Sequence, residues 1–142
     1  MPSLIQQAGW LRRIPLLLLA LALGGGASAE PATCSNATLK GTYLYSMSGV
    51  LDGKPYAESG REVYDGKGGM LIIFRASDSE GGTETQKGTY RVSGDCILKA
   101  SYADDWKNTG FVSPDGSSFV YTNFVPGSKN TAISGKEWRV AP

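Results

Sequence analysis

Lys40-Gly41-Thr42-Tyr43 and Lys87-Gly88-Thr89-Tyr90 spell the same tetrapeptide, with Cys34 shortly before the first copy and Cys96 shortly after the second. Threonine and tyrosine suit a pleated, half-buried surface, and glycine marks a place where a strand starts or bends. Two such starts, each near a cysteine, predict two β-strands that enter one small barrel or sandwich beside a shared disulfide.

The same character recurs outward from these copies. Alternating or β-branched and aromatic stretches occupy 39-50, 55-65, 69-77, 83-93, 95-103, 106-112, 117-125 and 130-140. Between them stand turn clusters such as Leu51-Asp52-Gly53, Asp65-Gly66-Lys67-Gly68, Ser93-Gly94-Asp95 and Ser113-Pro114-Asp115-Gly116. Glycine supplies positive φ in such connections and proline presets φ at the first turn position. No helical apolar stripe of useful length follows residue 30. The expected fold is all-β, an antiparallel up-and-down barrel of about eight strands.

Successive strand residues point to opposite sides of a sheet, so parity assigns faces. Leu39, Tyr43, Tyr45 and Met47 share one face of the first strand, against Lys40, Thr42, Ser46 and Ser48. The third strand sets Met70, Ile72, Phe74 and Ala76 against Leu71, Ile73 and Arg75. The seventh sets Phe119, Tyr121 and Val125 against Val120 and Phe124. Strands apolar on both faces need cover on both, and a homo-oligomer that buries part of the outer wall is one physical answer.

The N-terminus reads as a targeting segment. Arg12-Arg13, the apolar run Ile14 to Leu23 and Ala27-Ser28-Ala29 form a basic region, a hydrophobic region and an A-x-A cleavage site. The apolar run falls short of the ~20 residues that span a bilayer. Residues 1-29 are therefore expected to be a signal peptide and 30-142 the β-barrel domain, with no transmembrane segment in the mature form. Loss of Arg12 and Arg13 takes the formal charge from +1 to about −1. That balance gives no basic patch for nucleic acid. An exported chain, periplasmic or secreted, meets oxidising conditions, so the only two cysteines, Cys34 and Cys96, are expected to pair.

The chain has no histidine, which excludes the Ser-His-Asp triad and histidine-ligated zinc or haem. A Cys34–Cys96 disulfide would remove thiolate catalysis as well. Asp65-Gly66-Lys67-Gly68-Gly69 lacks the spacing of a phosphate-binding loop and reads as a hairpin turn. Glu58, Glu62, Asp65, Glu84 and Asp104-Asp105 are scattered carboxylates with no calcium-loop spacing. Arg61-Glu62 stands apart, because adjacent strand residues face opposite ways and one of the two points inward. A charge inside a small barrel needs a partner and becomes a functional candidate. The many tyrosines offer apolar bodies with hydroxyl handles, suited either to a plugged core or to a cavity for a small ligand.

Gly41-Thr42-Tyr43 at the first strand and Arg139 at the last resemble the calycin-like barrels, such as lipocalins. There a Gly-x-aromatic lies under a basic side chain from the last strand. The resemblance implies Arg139 over Tyr43, with tyrosine where tryptophan is usual and Trp138 beside Arg139. Gly88 to Cys96, Tyr64 to Gly68 and Cys34 to Tyr43 together look like small exported bacterial proteins with a GTYxV…DC hairpin, similar to the allene oxide cyclase-type barrel. That likeness covers 34-96 best. Its residues belong to turns and strand ends, so it implies fold and carries over no catalytic residue.

The leading expectation is an exported, disulfide-stabilised barrel that binds a small apolar or amphipathic molecule and needs no cofactor or metal. The lining is expected from the odd-numbered faces of the first and third-to-fifth strands, with Tyr43, Tyr45, Met47, Tyr90 and Tyr121 as contacts and Phe74 close by. A cofactor-free cyclase or isomerase is the alternative that an inward Arg61 or Glu62 favours. A protein-interaction or inhibitor module of the cell envelope is the alternative that a large outer apolar patch favours.

Overall fold

A computed structural model describes residues 33–142. The segment 1-29 read as a signal peptide lies outside the described residues. Eight strands, β1 (Lys40–Leu51), β2 (Lys54–Asp65), β3 (Gly69–Ala76), β4 (Glu84–Val92), β5 (Ile97–Tyr102), β6 (Lys107–Val112), β7 (Ser118–Phe124) and β8 (Ala132–Ala141), pair with their sequence neighbours. All pairings are antiparallel, and β8 closes back on β1. The expected barrel is therefore the observed one, and closure removes the exposed strand edges that an open sheet would present. One short 3-10 turn, Asn36–Thr38, precedes β1.

Two strand starts lie further along than the sequence predicts, for a local reason. Cys96 and Asn130 adopt positive φ, 64° and 55°, a conformation that cannot continue a pleated strand. The fifth and eighth strands accordingly begin at Ile97 and Ala132. Asp52-Gly53 makes the tightest connection, with φ of 50° and 80°, the two positive values that match a hairpin turn to strand twist. In the glycine-rich loop after β2, the Asp65 carboxylate accepts the backbone N–H groups of Lys67, Gly68 and Gly69 at 2.7, 2.9 and 2.9 Å. The loop's amides are thus satisfied by the chain's own side chain, as a hairpin requires and an anion site does not.

An up-and-down barrel has two ends, and here they differ. The connections after β2, β4 and β6 share one end with the 3-10 turn and the disulfide. Cys34 and Cys96 are bonded with their Cα atoms 5.0 Å apart, and Cys34 N–H donates to the Gly94 carbonyl at 3.2 Å. Inside this end the two repeated tetrapeptides meet. Tyr43 and Tyr90 each pack edge-on against Tyr64, with ring centroids 5.2 and 5.0 Å apart, and Phe119 completes the layer. Tyr90 Oη donates to the Leu39 carbonyl at 2.8 Å, and Tyr43 Oη to the Gly116 carbonyl at 2.6 Å. This half of the barrel is filled.

The inward faces follow parity. Tyr43, Tyr45 and Met47 are buried from β1, and Met70 and Ile72 from β3. From β3 to β5, however, the inward set is even-numbered: Met70, Ile72, Tyr90, Val92, Leu98 and Ala100. The expectation of an odd-numbered lining there is corrected, since the turn after β1 switches the inward set from odd to even and the connections up to β6 keep it even. Outside, apolar Leu44, Phe111, Val120, Phe124 and Trp138 are exposed among charged neighbours such as Lys99, Lys107 and Lys136. Among the described residues no helix is long and apolar enough to cross a membrane.

Candidate functional site

Above the filled half, the interior opens into a cavity of about 190 Å³. An eight-stranded barrel is just wide enough to be filled by side chains or to hold one small ligand; this one is filled in one half and hollow in the other. Tyr45, Met47, Phe74 and Tyr121 line the cavity together with Tyr56, Tyr102 and Trp106. Tyr43 and Tyr90, also expected as contacts, sit in the filled end, where they support the layer beneath. Their side chains do face inward, but strand tilt places them at the disulfide end.

Arg61 and Glu62 separate as neighbours in a strand must. Arg61 is exposed on the outer wall, so its candidacy as an inward group is corrected, while Glu62 is buried, at 2 % exposure. A second glutamate, Glu137 of β8, is buried at 1 %. The sequence reading did not single it out. Its signal was present, because Glu137 shares parity with Arg139, the residue expected over Tyr43. Arg139 indeed lies over that ring, its guanidinium carbon 5.9 Å from the centroid, and donates to the Asp115 carbonyl.

The two buried carboxyls are joined through a tyrosine. Tyr64 Oη donates to Glu62 Oε2 and lies 3.4 and 3.5 Å from the oxygens of Glu137. A hydroxyl has one proton to give and lone pairs to accept with. A protonated Glu137 can donate to Tyr64 Oη while Tyr64 donates to Glu62. From the other side Tyr102 Oη donates to Glu62 Oε1 at 3.3 Å, Asn108 Nδ2 donates to Tyr102 Oη at 2.7 Å, and Asn123 Nδ2 donates to Asn108 Oδ1 at 2.6 Å. Both arms deliver hydrogen bonds to Glu62, which lines the cavity.

Burial, with no cation beside the pair among the described residues, sets the charge state. Desolvation pushes the Glu62 carboxyl up to about 7, against the partly offsetting hydrogen bonds from Tyr64 and Tyr102. Desolvation and then the neighbouring Glu62 charge hold Glu137 well above the ordinary carboxylate range. Two such groups share a proton near neutrality. Nearer the opening, Glu58 receives hydrogen bonds from the hydroxyls of Tyr45 and Tyr56 on its two oxygens. Burial raises its carboxyl too, and the two hydroxyls oppose that rise. The tyrosines around it are themselves held neutral by burial.

Among the described residues no cluster of three or more cysteine, aspartate or glutamate side chains is placed to hold a metal ion. The arrangement can instead present an apolar, aromatic wall to a guest, anchor one polar or charged group at Glu58, and give or take a proton at Glu62. Comparison with protein-family models and with curated proteins finds no match for this chain.

Proposed function

We propose that this protein is an exported binding barrel for a small amphipathic molecule, held in the open-end cavity against Tyr45, Phe74, Trp106 and Tyr121. The observation that carries the reading is the division of the interior. A tightly packed half beneath a cavity of about 190 Å³ leaves an opening that core packing does not need. Export is supported by the N-terminal pattern and by the Cys34–Cys96 disulfide. Arg139 over Tyr43 supports a kinship with calycin-like barrels. Native mass spectrometry of the gently purified protein, set against the same sample denatured, tests the reading. Extra mass that disappears on denaturation is the expected result. A bare protein that also leaves small aromatic probes unbound would remove it.

One observation favours a second reading, a cofactor-free isomerase: the hydrogen-bond chain that ends on Glu62 does so at the cavity wall. A carboxylate kept near neutrality in its titration is suited to move a proton on a bound carbon acid. Incubating the released guest with the protein in D2O separates the two readings. Deuterium incorporated at carbon, and lost in Glu62→Gln, points to catalysis; an unlabelled guest points to carriage.

A further inference from the structure

The cavity's charges are all of one sign. Among the described residues its wall carries Glu58, Glu62, Asp78, Glu84 and Asp104 and contains neither lysine nor arginine. The basic side chains of the barrel strands lie elsewhere: every strand lysine and Arg61, Arg75 and Arg91 are exposed, Arg75 donating to Thr83 Oγ1 at 3.1 Å, and Arg139 covers Tyr43 at the filled end. An anionic guest would meet carboxylates alone. A neutral guest would shut Glu58 further from water and offer its carboxylate no opposite charge, a costly arrangement.

Aromatic rings surround the same carboxylates. Tyr45 and Tyr56 hold Glu58 between their hydroxyls, and the Tyr56 ring lies 5.7 Å from that of Trp106, inclined at 50°. Ring faces attract cations, most strongly where water is excluded, and tryptophan and tyrosine attract best. A third feature agrees in kind. Asn123 lines the cavity, and its buried Oδ1 has no hydrogen-bond partner among the described residues. It is an acceptor in a site where an ammonium would bring donors.

We propose that the cavity selects a small organic cation, an ammonium on a short aromatic or aliphatic body, with its charge at Glu58 among the rings of Tyr45, Tyr56 and Trp106. This rests on the reading of the cavity as a ligand site given above. Size narrows the class further. About 190 Å³ is the room of roughly six liquid waters at ~30 Å³ each, which suits an aromatic amine and is too small for a lipid or a multi-ring dye.

Three probes of nearly one shape test the charge preference: phenethylamine as the cation, 2-phenylethanol as the neutral form and phenylacetate as the anion. Binding to the purified protein is followed by isothermal calorimetry and by tryptophan emission. Phenethylamine is expected to bind at least about tenfold tighter than 2-phenylethanol, with phenylacetate weakest. In Glu58→Gln that preference should fall to about twofold while the alcohol still binds, and Asp104→Asn at the rim is a second variant if Glu58→Gln folds poorly. Equal or tighter binding of the alcohol or the acid overturns the charge preference and leaves the cavity reading standing. If none of the three binds and the protein carries no guest, both fail.

Discussion

Glu62 and Glu137 approach from β2 and β8 and meet across the hydroxyl of Tyr64, which donates to the first and lies 3.4 Å from the second. Two carboxyls brought inside a barrel, with no cation beside them among the described residues, are stable together only when protons are kept between them.

That relationship sets a pH dependence. The folded state holds these carboxyls above their ordinary value of 4.5, Glu62 at about 7 and Glu137 well up, so between those limits it binds more protons than the unfolded chain. Stability must then fall as pH rises through the window. The groups facing the pair, Tyr64, Tyr102, Tyr121 and Glu58, add no positive charge to reverse the sign. Asp65 and Asp115, lowered by backbone and side-chain hydrogen bonds, change charge below it. The melting temperature is expected to drop from pH 5 to pH 8, and Glu137→Gln should flatten the profile. A flat wild-type profile would contradict the shared proton.

The disulfide ties the segment before β1 to the start of β5. Thiol titration of the denatured, unreduced protein should find no free cysteine. Cys96→Ser should melt earlier, by an amount corresponding to about 4 kcal/mol in the chain-entropy account. Reduced wild type should match it. Two free thiols in freshly purified protein would end the assignment.

Arg139 and Tyr43 fasten β8 to β1 where the barrel closes. Arg139→Ala removes a ring contact and a hydrogen bond to the Asp115 carbonyl, an expected loss of about 1–2 kcal/mol. Tyr43→Phe leaves the Gly116 carbonyl without its donor at 2.6 Å and should cost about 1–3 kcal/mol. A double-mutant cycle by chemical denaturation is expected to show coupling between them. Independent effects would mean that the stacked pair does not act as one fastening.

Gly135 packs directly against Tyr121, which lines the cavity. A Cβ there would lie 2.6 Å from Tyr121 Oη and 2.7 Å from Met47 Cβ, closer than packed atoms allow. Gly135→Ala should displace Tyr121, reduce stability by about 1–3 kcal/mol and weaken phenethylamine binding. Unchanged binding would place the guest away from Tyr121.

Parity made much of this barrel legible in its sequence. Eight alternating stretches with glycine-rich breaks gave the strands to within a few residues, and Tyr45, Met47 and Glu62 were assigned inward faces from position alone or as one of two neighbours. What parity lacks is depth. Tyr43 and Tyr45 share a face, yet only Tyr45 reaches the cavity, because height along the axis depends on tilt and stagger around the whole closed sheet. The partnership of Glu62 with Glu137 was hidden for a related reason: the residues lie in strands brought together only when β8 closes on β1 and Tyr64 fills the space between. Glu58 looked like any solvated carboxylate until Tyr45 and Tyr56 were seen to hold it.

The filled half beneath the cavity has a kinetic consequence. With Tyr43, Tyr64, Tyr90 and Phe119 blocking the far end, the barrel is a cup and not a conduit. Whatever enters past Asp78 and Trp106 must leave by the same opening, so one occupant must depart before another arrives. If the cavity takes the guest proposed above, the pace of its exchange is set at a single rim.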